Sequence, residues 1–285
     1  MTYAEWYGQY LSLYKRKLAP KTRESYARLH RLLEPLHGVQ LAQLTPDAIQ
    51  AALIGVELAA GSRQAQLAYT LLHGCLKRAA RSRHISANPA DAIDKPEHEP
   101  AEGRAINEAD WNRLQPELLA DVGFALMAYA GLRRGEALAL RRGDVDLAAG
   151  LIHVSRQRLR VDGQLQTLPP KSRAAVRDVP IEPELDAALR RLPLMLPNTL
   201  LVPCSPETLA RRWRRAQERA GIEQPYRLHD LRHTYATRMV RAGVNVRVLQ
   251  YMVGHSSLEL TMQTYTHIDG AAALAEVSRV RKSLH

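Results

Sequence analysis

Three residues in the last third of the chain have side chains that can grip a phosphate group. His229 and Arg232 lie three positions apart, so a helix places both on one face. His255 follows Gly254 and precedes residues 256–259, Ser-Ser-Leu-Glu, a capping-box pattern that predicts a helix start. The free N–H groups of such a start favour an anion beside His255. Taken alone, the His229–Arg232 pair is more typical of a surface histidine and a solvated arginine.

Two further cations and one phenol could complete a site for phosphoryl transfer. Arg133 comes at the start of a predicted helix, where its guanidinium could grip a phosphate with two N–H groups. An ion pair with Glu136 is the alternative, and the two interactions can hold together. Lys171 follows a Pro-Pro break in a half of the chain where arginine greatly outnumbers lysine. Tyr265, by helical periodicity alone, is a packed tyrosine rather than a nucleophile.

A metal site is a weaker interpretation of the same region. His229 and His233 are four positions apart, a spacing that zinc can use. No Glu follows His229 as in the zinc-protease helix motif, and no third ligand is obvious from the sequence. We therefore expect no metal to be bound here.

The composition is that of a basic globular protein. The 285 residues include 40 Lys and Arg against 29 Asp and Glu, a formal net charge of +11 that both halves of the chain share. This surplus is typical of nucleic-acid binding, with an ordinary basic protein as the alternative. Cys75 and Cys204 form no metal or redox pattern and are expected in the core. The chain shows neither a secretory signal nor an apolar run near the roughly 20 residues of a membrane span, so we expect a cytoplasmic protein.

The chain is predicted to form two domains joined by a linker. Residues 1–94 carry helical signals, among them Thr45-Pro46-Asp47, which is a good helix start. Residues 95–106 are assigned to the linker, because positions 95–104 contain two prolines, a glycine and no large apolar residue. Residues 107–285 form the second domain.

Within the second domain we expect mainly helices beside a small antiparallel sheet. An apolar helix over residues 122–130 ends at Gly131. Alternating apolar residues and a turn at 161–164 predict two or three strands between residues 151 and 181. Further helices are predicted over 206–220 and 228–242.

The segment before His255 is predicted to be another short helix. Asn245 can cap its start and Gly254 can end it. The residues expected to face inward are Val248, Leu249 and Met252. His255 would then lie at a tight junction between two helices.

Taken together, these motifs resemble those of the tyrosine recombinases, also called phage-type integrases. The order is Gly-Leu-Arg-x-x-Glu from residue 131, a lysine in a sheet turn, His-x-x-Arg-His-Thr from residue 229, Gly-His-Ser-Ser from residue 254, and a tyrosine ten residues after the second histidine. The combined motif is highly specific, whereas each piece alone is weak. The departures, Ala130 where the family often has Thr and Val253 where it usually has Leu, remove no reactive group.

The resemblance covers nearly the whole chain and implies the tyrosine recombinase fold. That fold is mainly α: an N-terminal helical core-binding domain, here residues 1–94, precedes a C-terminal mixed α/β catalytic domain with a small antiparallel sheet, here residues 107–285. The linker over 95–106 joins them.

The resemblance also implies a role for each chemical group in cleaving and rejoining DNA. Tyr265 would be the nucleophile that forms a 3′-phosphotyrosyl bond. The other catalytic residues would be Arg133, Lys171, His229, Arg232 and His255. The two arginines and His255 would hold the scissile phosphate, the lysine would protonate the departing 5′-oxygen, and His229 would assist proton transfer near the tyrosine. Glu136 or Asp144 would orient the arginines, and no metal, cofactor or ATP is implied.

The implied partner is double-stranded DNA, bound by a homo-tetramer that could be a monomer or dimer in solution. The expected setting is bacterial or phage-encoded, cytoplasmic and nucleoid-associated, with no membrane contact. Two basic clusters are candidates for phosphate contacts, with solvated helix faces as the alternative. They are Lys77, Arg78, Arg81 and Arg83, and Arg211, Arg212, Arg214 and Arg215.

Two other functions remain to be separated by experiment. A DNA-binding regulator without catalysis would bind DNA and form no covalent adduct. A swivelling topoisomerase would use the same chemistry, although the arrangement of residues 1–94 favours recombination.

Overall fold

The computed structural model describes residues 1–99, 103–170 and 175–254. The chain divides into two compact units, Met1–Ala101 and Glu102–His285, which we call the N-terminal unit and the C-terminal unit. The division falls inside the segment 95–106. None of the described helices is long and apolar enough to span a membrane.

The N-terminal unit is helical. Its four α-helices are α1 (Tyr3–Tyr14), α2 (Pro20–Leu32), α3 (Pro46–Ala60) and α4 (Ser62–Arg81), with 3-10 turns at Glu34–Leu36, Leu41–Gln43 and Pro89–Ala92. The predicted start at Thr45 is confirmed, because its hydroxyl accepts the Ala48 N–H and Pro46 occupies the first turn. The helices bury one apolar core that includes Trp6, Ile49 and Leu72, each fully inaccessible to solvent.

The described part of the C-terminal unit contains seven α-helices. They are α5 (Glu108–Ala120), α6 (Val122–Tyr129), α7 (Arg134–Ala139), α8 (Pro183–Arg190), α9 (Pro206–Arg219), α10 (Asp230–Arg241) and α11 (Val246–Val253). Helix α6 lies at the centre of the main apolar cluster, with seven of its eight residues buried. This burial explains its uniformly apolar sequence, since a helix with no polar face must be enclosed by other elements.

The strands form two small antiparallel sheets in the described residues. One contains β1 (Val145–Asp146), β2 (Leu151–Val154) and β5 (Arg177–Pro180) in the order β1-β2-β5, and the other is the hairpin β3 (Gln157–Val161) and β4 (Gln164–Leu168). In the first sheet Ile152 pairs with Val145 and with Val179. The fold class predicted from sequence is confirmed, but the expectation of a single sheet is wrong. The hairpin closes through Asp162-Gly163, whose φ angles of +48° and +76° suit a tight two-residue turn, so β3 and β4 pair with each other.

The last described helix ends where the sequence predicts. The Asn245 side chain accepts the Arg247 N–H at the start of α11, and Gly254 adopts a left-handed conformation at its end, with φ of +63°. Leu249 and Met252 are buried as expected. Val248 is half exposed, so its inward placement is wrong.

Candidate active site

The turn before α7 sets the position of Arg133. Gly131 has a left-handed φ of +61°, and a side chain there would collide with the ring of Tyr235 on α10. Glycine is therefore required both by the backbone conformation and by the close approach. The next two residues lead into α7, where Arg133 occupies the position just before the first helical residue.

Arg133 and Glu136 form an ion pair with two supporting hydrogen bonds. Arg133 Nη1 donates to Glu136 Oε1 over 2.9 Å, and the Arg133 backbone N–H donates to Oε2 over 2.8 Å. Arg133 Nη2 donates to the carbonyl of Gly254 over 2.6 Å. The side chain of Arg133 remains 37% exposed while that of Glu136 is 3% exposed. The ion pair thus fixes the arginine while leaving part of its guanidinium open to a ligand.

Arg232 projects from the first turn of α10 into the interior. It is 3% exposed, and its two Nη atoms donate to the carbonyls of Gly131, over 2.6 Å, and Val253. Burial and the nearby charge of Arg133 lower the pKa of Arg232 to about 9, so the group stays positive at neutral pH. The glycine turn and the end of α11 therefore hold both arginines in one region.

His229 lies just before α10, so it is close to Arg232 along the chain. Its side chain keeps an exposed edge, yet lost hydration and the charges of Arg232 and Arg133 lower its pKa to about 4. At neutral pH the imidazole is therefore uncharged. The ring of His233 stands 5.2 Å from it at 88°, in an edge-to-face contact.

Among the described residues, His229 and His233 have no third side chain beside them that would complete a zinc site. The ranges 1–99, 103–170 and 175–254 contain no group of three His, Cys, Asp or Glu side chains that could hold a metal ion.

Asp144 is placed differently from Glu136. Its two carboxylate oxygens accept hydrogen bonds from the Arg156 side chain and, over 2.8 Å, from the Arg141 backbone N–H. Its described partners include neither Arg133 nor Arg232, so of the two carboxylates Glu136 is the one in contact with Arg133. Three other predicted site residues, Lys171, His255 and Tyr265, lie outside the described residues.

The segment that contains these groups matches the phage integrase family over residues 104–271, more than half of the chain. The chain belongs to this family. Its members are the tyrosine recombinases, which are DNA strand-exchange enzymes.

Two relatives and one solved structure show the extent of the similarity. The chain is 34% identical to tyrosine recombinase XerC 2 of Ralstonia nicotianae over 75% of its own length and 63% of the relative's. It is 30% identical to tyrosine recombinase XerC of Yersinia pestis, over 92% and 88% of the two lengths. The Tn1549 transposon integrase, solved in complex with transposon right end DNA, has the same fold, with a TM-score of 0.81, 22% identity and coverage of 99% and 100%.

In this tyrosine recombinase, sequence reasoning missed one buried cation of the site, Arg177. Its side chain is fully buried on β5 and donates to both carboxylate oxygens of Glu136, over 3.2 and 2.9 Å. Burial opposes ionisation of Glu136, but the hydrogen bonds and charge of Arg177, aided by Arg133, outweigh it and hold the carboxyl pKa below its ordinary value. The available signal was strand alternation, because residue 177 shares the inward face of β5 with Val179.

The two basic clusters lie on helix surfaces. On α4 and just after it, Lys77, Arg81 and Arg83 are exposed, whereas Arg78 lies 3.9 Å over the ring of Tyr14. On α9 all four arginines are exposed. Arg212 lies 3.5 Å from Asp121 and Arg214 lies 3.8 Å from Glu218. These surfaces can meet a polyanion, and the ion pairs of α9 are weak enough to exchange for phosphate.

Proposed function

We propose that this tyrosine recombinase is a site-specific DNA recombinase, or integrase, that cleaves and rejoins DNA through a 3′-phosphotyrosyl intermediate. The observation that carries the proposal is the arrangement of Arg133, Arg232 and the neutral His229 around one turn, inside the segment that matches the family. Two guanidiniums are suited to a phosphate whose negative charge increases during attack.

The assigned nucleophile is Tyr265. Its phenol oxygen attacks the scissile phosphorus, the bond from phosphorus to the 5′-oxygen breaks, and a 5′-hydroxyl is released. A phenol pKa of about 10 makes the phenolate cost roughly 4 kcal/mol at pH 7, so a proton acceptor and nearby positive charge are both needed. His229 is assigned to assist this proton transfer, and Lys171 to protonate the departing 5′-oxygen.

Arg133, Arg232 and His255 are assigned to hold the non-bridging oxygens. The arginines and Lys171 supply positive charge of the kind that magnesium gives other phosphoryl-transfer enzymes, so the proposed reaction uses no metal. Because a phenol leaves more readily than an alkoxide, the 5′-hydroxyl of a second duplex can reverse the step. Rejoining then needs no ATP.

The proposed partner is double-stranded DNA, bound by residues 1–94 as a core-binding domain and by the catalytic domain 107–285, with 95–106 as the linker. The basic clusters of α4 and α9 are assigned to phosphate contacts. Assembly as a homo-tetramer on DNA is proposed by analogy with the family. A role in a mobile genetic element is consistent with the transposon integrase that has this fold.

The proposal is tested with a suicide duplex that carries the DNA flanking the gene and a nick beside the expected cleavage point. The wild-type chain should form a protein–DNA band that resists detergent, and Tyr265→Phe should not. Tyr251→Phe is the matched control, because Tyr251 is an exposed tyrosine on α11, outside the assigned site.

Each alternative has its own outcome. A regulator without catalysis binds the duplex without an adduct, in the wild type as in Tyr265→Phe. A topoisomerase relaxes supercoiled DNA that lacks the flanking sequence. An adduct that survives in Tyr265→Phe would remove the assigned nucleophile.

A further inference from the structure

Three arginines hold three successive carbonyl groups at the end of α11. Arg177 Nε donates to Met252 over 2.6 Å, Arg232 Nη2 donates to Val253, and Arg133 Nη2 donates to Gly254 over 2.6 Å. The last carbonyls of a helix lack partners within the helix and carry partial negative charge, so cations stabilise them. The next residue in the sequence after these three is His255.

Arg177 and Arg232 are both buried, whereas the Arg133 side chain remains 37% exposed. Arg177 differs from Arg232 in that it contacts the carboxylate of Glu136 directly. Its donors are used by both oxygens of Glu136 and by the carbonyls of Met252 and Ala175. A fully buried guanidinium with this set of partners connects β5, α7 and α11.

The contacts form a chain that leads to Arg133. Glu136 Oε1 accepts hydrogen bonds from Nη1 of Arg133 and from Nη1 of Arg177. Glu136 Oε2 accepts hydrogen bonds from the Arg133 backbone N–H and from Arg177 Nη2. The same carboxylate therefore faces a buried cation on one side and the partly exposed cation on the other. Without Arg177, it would be a buried carboxylate with one half-exposed partner, and burial would favour its neutral form.

We propose that Arg177 is a positioning residue for strand cleavage, which holds Glu136 ionised and thereby keeps Arg133 aligned with the end of α11. This role rests on the proposed function, because Arg133 is the residue assigned to the phosphate. It differs from a purely structural role in its dependence on pH. If Arg177 acts through the charge of Glu136, its loss makes Arg133 sensitive to protonation of that carboxyl.

The experiment measures the rate of covalent adduct formation at saturating DNA as a function of pH, for Arg177→Lys and Arg177→Gln. We expect the rate near neutral pH to fall by at least tenfold in Arg177→Gln and by less in Arg177→Lys, since small displacements of a catalytic group cost up to about 100-fold. Both variants should lose activity at a higher pH than the wild type does as the solution is acidified. Adding Glu136→Gln to Arg177→Gln should remove that difference, because no carboxyl then remains to titrate.

Arg219→Gln is the matched control, since Arg219 is paired with Glu117 over 2.8 and 2.5 Å at the surface of the same unit. Its rate and pH profile should equal those of the wild type. A pH profile of Arg177→Gln that is parallel to the wild type overturns the proposal. Failure of both Arg177 variants to fold also overturns it, because Arg177 would then serve the fold rather than the alignment.

A second readout separates this proposal from the proposed function. The side-chain Nε–H signal of Arg133 in an NMR spectrum, assigned by its loss in Arg133→Lys, should shift or broaden in Arg177→Gln and stay unchanged in Arg219→Gln. If the wild type forms no adduct, the proposed function fails, and this signal alone decides whether Arg177 positions Arg133. An unchanged signal in Arg177→Gln refutes the positioning role in either case.

Discussion

The interiors of the two units differ in their polar content. In the described residues of the N-terminal unit, Asn88 is the buried polar side chain, and the rest of the core is apolar or aromatic. Among its own described residues, the C-terminal unit buries six that are polar or charged: Glu136, Arg177, Gln217, Asp230, Arg232 and Thr234. Burying a charged pair adds little to stability compared with apolar packing. The difference therefore indicates that the first interior serves the fold, and that part of the second serves a reaction.

The position of the buried charges supports this interpretation. The main apolar cluster of the C-terminal unit contains α6 and Leu132, while Tyr235, Leu249, Met252 and Val253 belong to a separate small cluster. Arg232 joins the two, since it donates to Gly131 beside the first cluster and to Val253 in the second. The guanidiniums thus replace apolar packing where α10 and α11 meet the turn before α7.

The largest expected effect comes from removing the buried charge of Arg232. Arg232→Met leaves the carbonyls of Gly131 and Val253 without this donor and removes one phosphate-holding group. We expect adduct formation to slow by about 10²–10³-fold, which corresponds to roughly 3–4 kcal/mol in the barrier. The rate should be measured at saturating DNA, at a temperature where circular dichroism shows the variant to be folded.

The comparison variant is Ile49→Ala in the core of the N-terminal unit. Truncating a fully buried isoleucine should lower the free energy of unfolding by about 2–5 kcal/mol, measured by urea denaturation. The adduct rate per folded molecule should stay that of the wild type. If instead both variants lose rate in proportion to their loss of stability, the division of roles between the two interiors is wrong.

Much of the fold, and part of the candidate site, could be predicted from local sequence patterns. Gly131 after the apolar α6, and Asn245 with Gly254 around α11, are short-range signals whose physical causes act within a few residues. Arg177 could not be found in this way, because a charged residue on the inward face of a strand is stable only when a distant carboxylate meets it. Its partner, Glu136, is 41 positions away.

Which of the two carboxylates, Glu136 or Asp144, contacts Arg133 also could not be predicted from the sequence. Both carboxylates follow an arginine by three residues and accept its backbone N–H, Glu136 from Arg133 and Asp144 from Arg141. They differ in the long-range cation that each meets, Arg177 for Glu136 and Arg156 for Asp144. Helix and strand periodicity carry no information on such pairings.

A histidine in each unit allows a smaller test of the same comparison. The pKa of His229 is lowered to about 4 by lost hydration and neighbouring cations, and that of His30 to about 4 by burial and by His37. NMR titration of both rings should give midpoints near pH 4 rather than near the ordinary value of about 6.5. Arg133→Gln should raise the midpoint of His229 alone, and His37→Gln that of His30 alone.

Both histidines should also make the folded state sensitive to acid. A histidine whose folded pKa is lowered binds more protons when unfolded, so its contribution to stability is intact above about pH 6.5 and is lost as the pH falls toward 4. His30→Gln should weaken this acid sensitivity in calorimetric unfolding and leave the adduct rate unchanged. A midpoint near 6.5 for His229 would contradict the lowered pKa expected from its lost hydration and neighbouring cations.

The smallest effects are expected from the exposed cations, and they test whether both units meet DNA. The equilibrium constant K for DNA binding falls with salt concentration, and the slope of log K against log salt concentration reports how many phosphates are neutralised. Removing a cation that neutralises a phosphate should make this slope shallower by about 0.9 for each such phosphate. Two double variants are compared. One combines Lys77→Ala and Arg81→Ala on α4, and the other combines Arg211→Ala and Arg215→Ala on α9. Arg190→Ala, at a surface ion pair with Asp186, is the control and should leave the slope unchanged. A reduced slope in both double variants supports two DNA-binding units. If the α4 variant keeps the wild-type slope, its cations are a solvated helix face, and this surface of the N-terminal unit does not contact the duplex backbone.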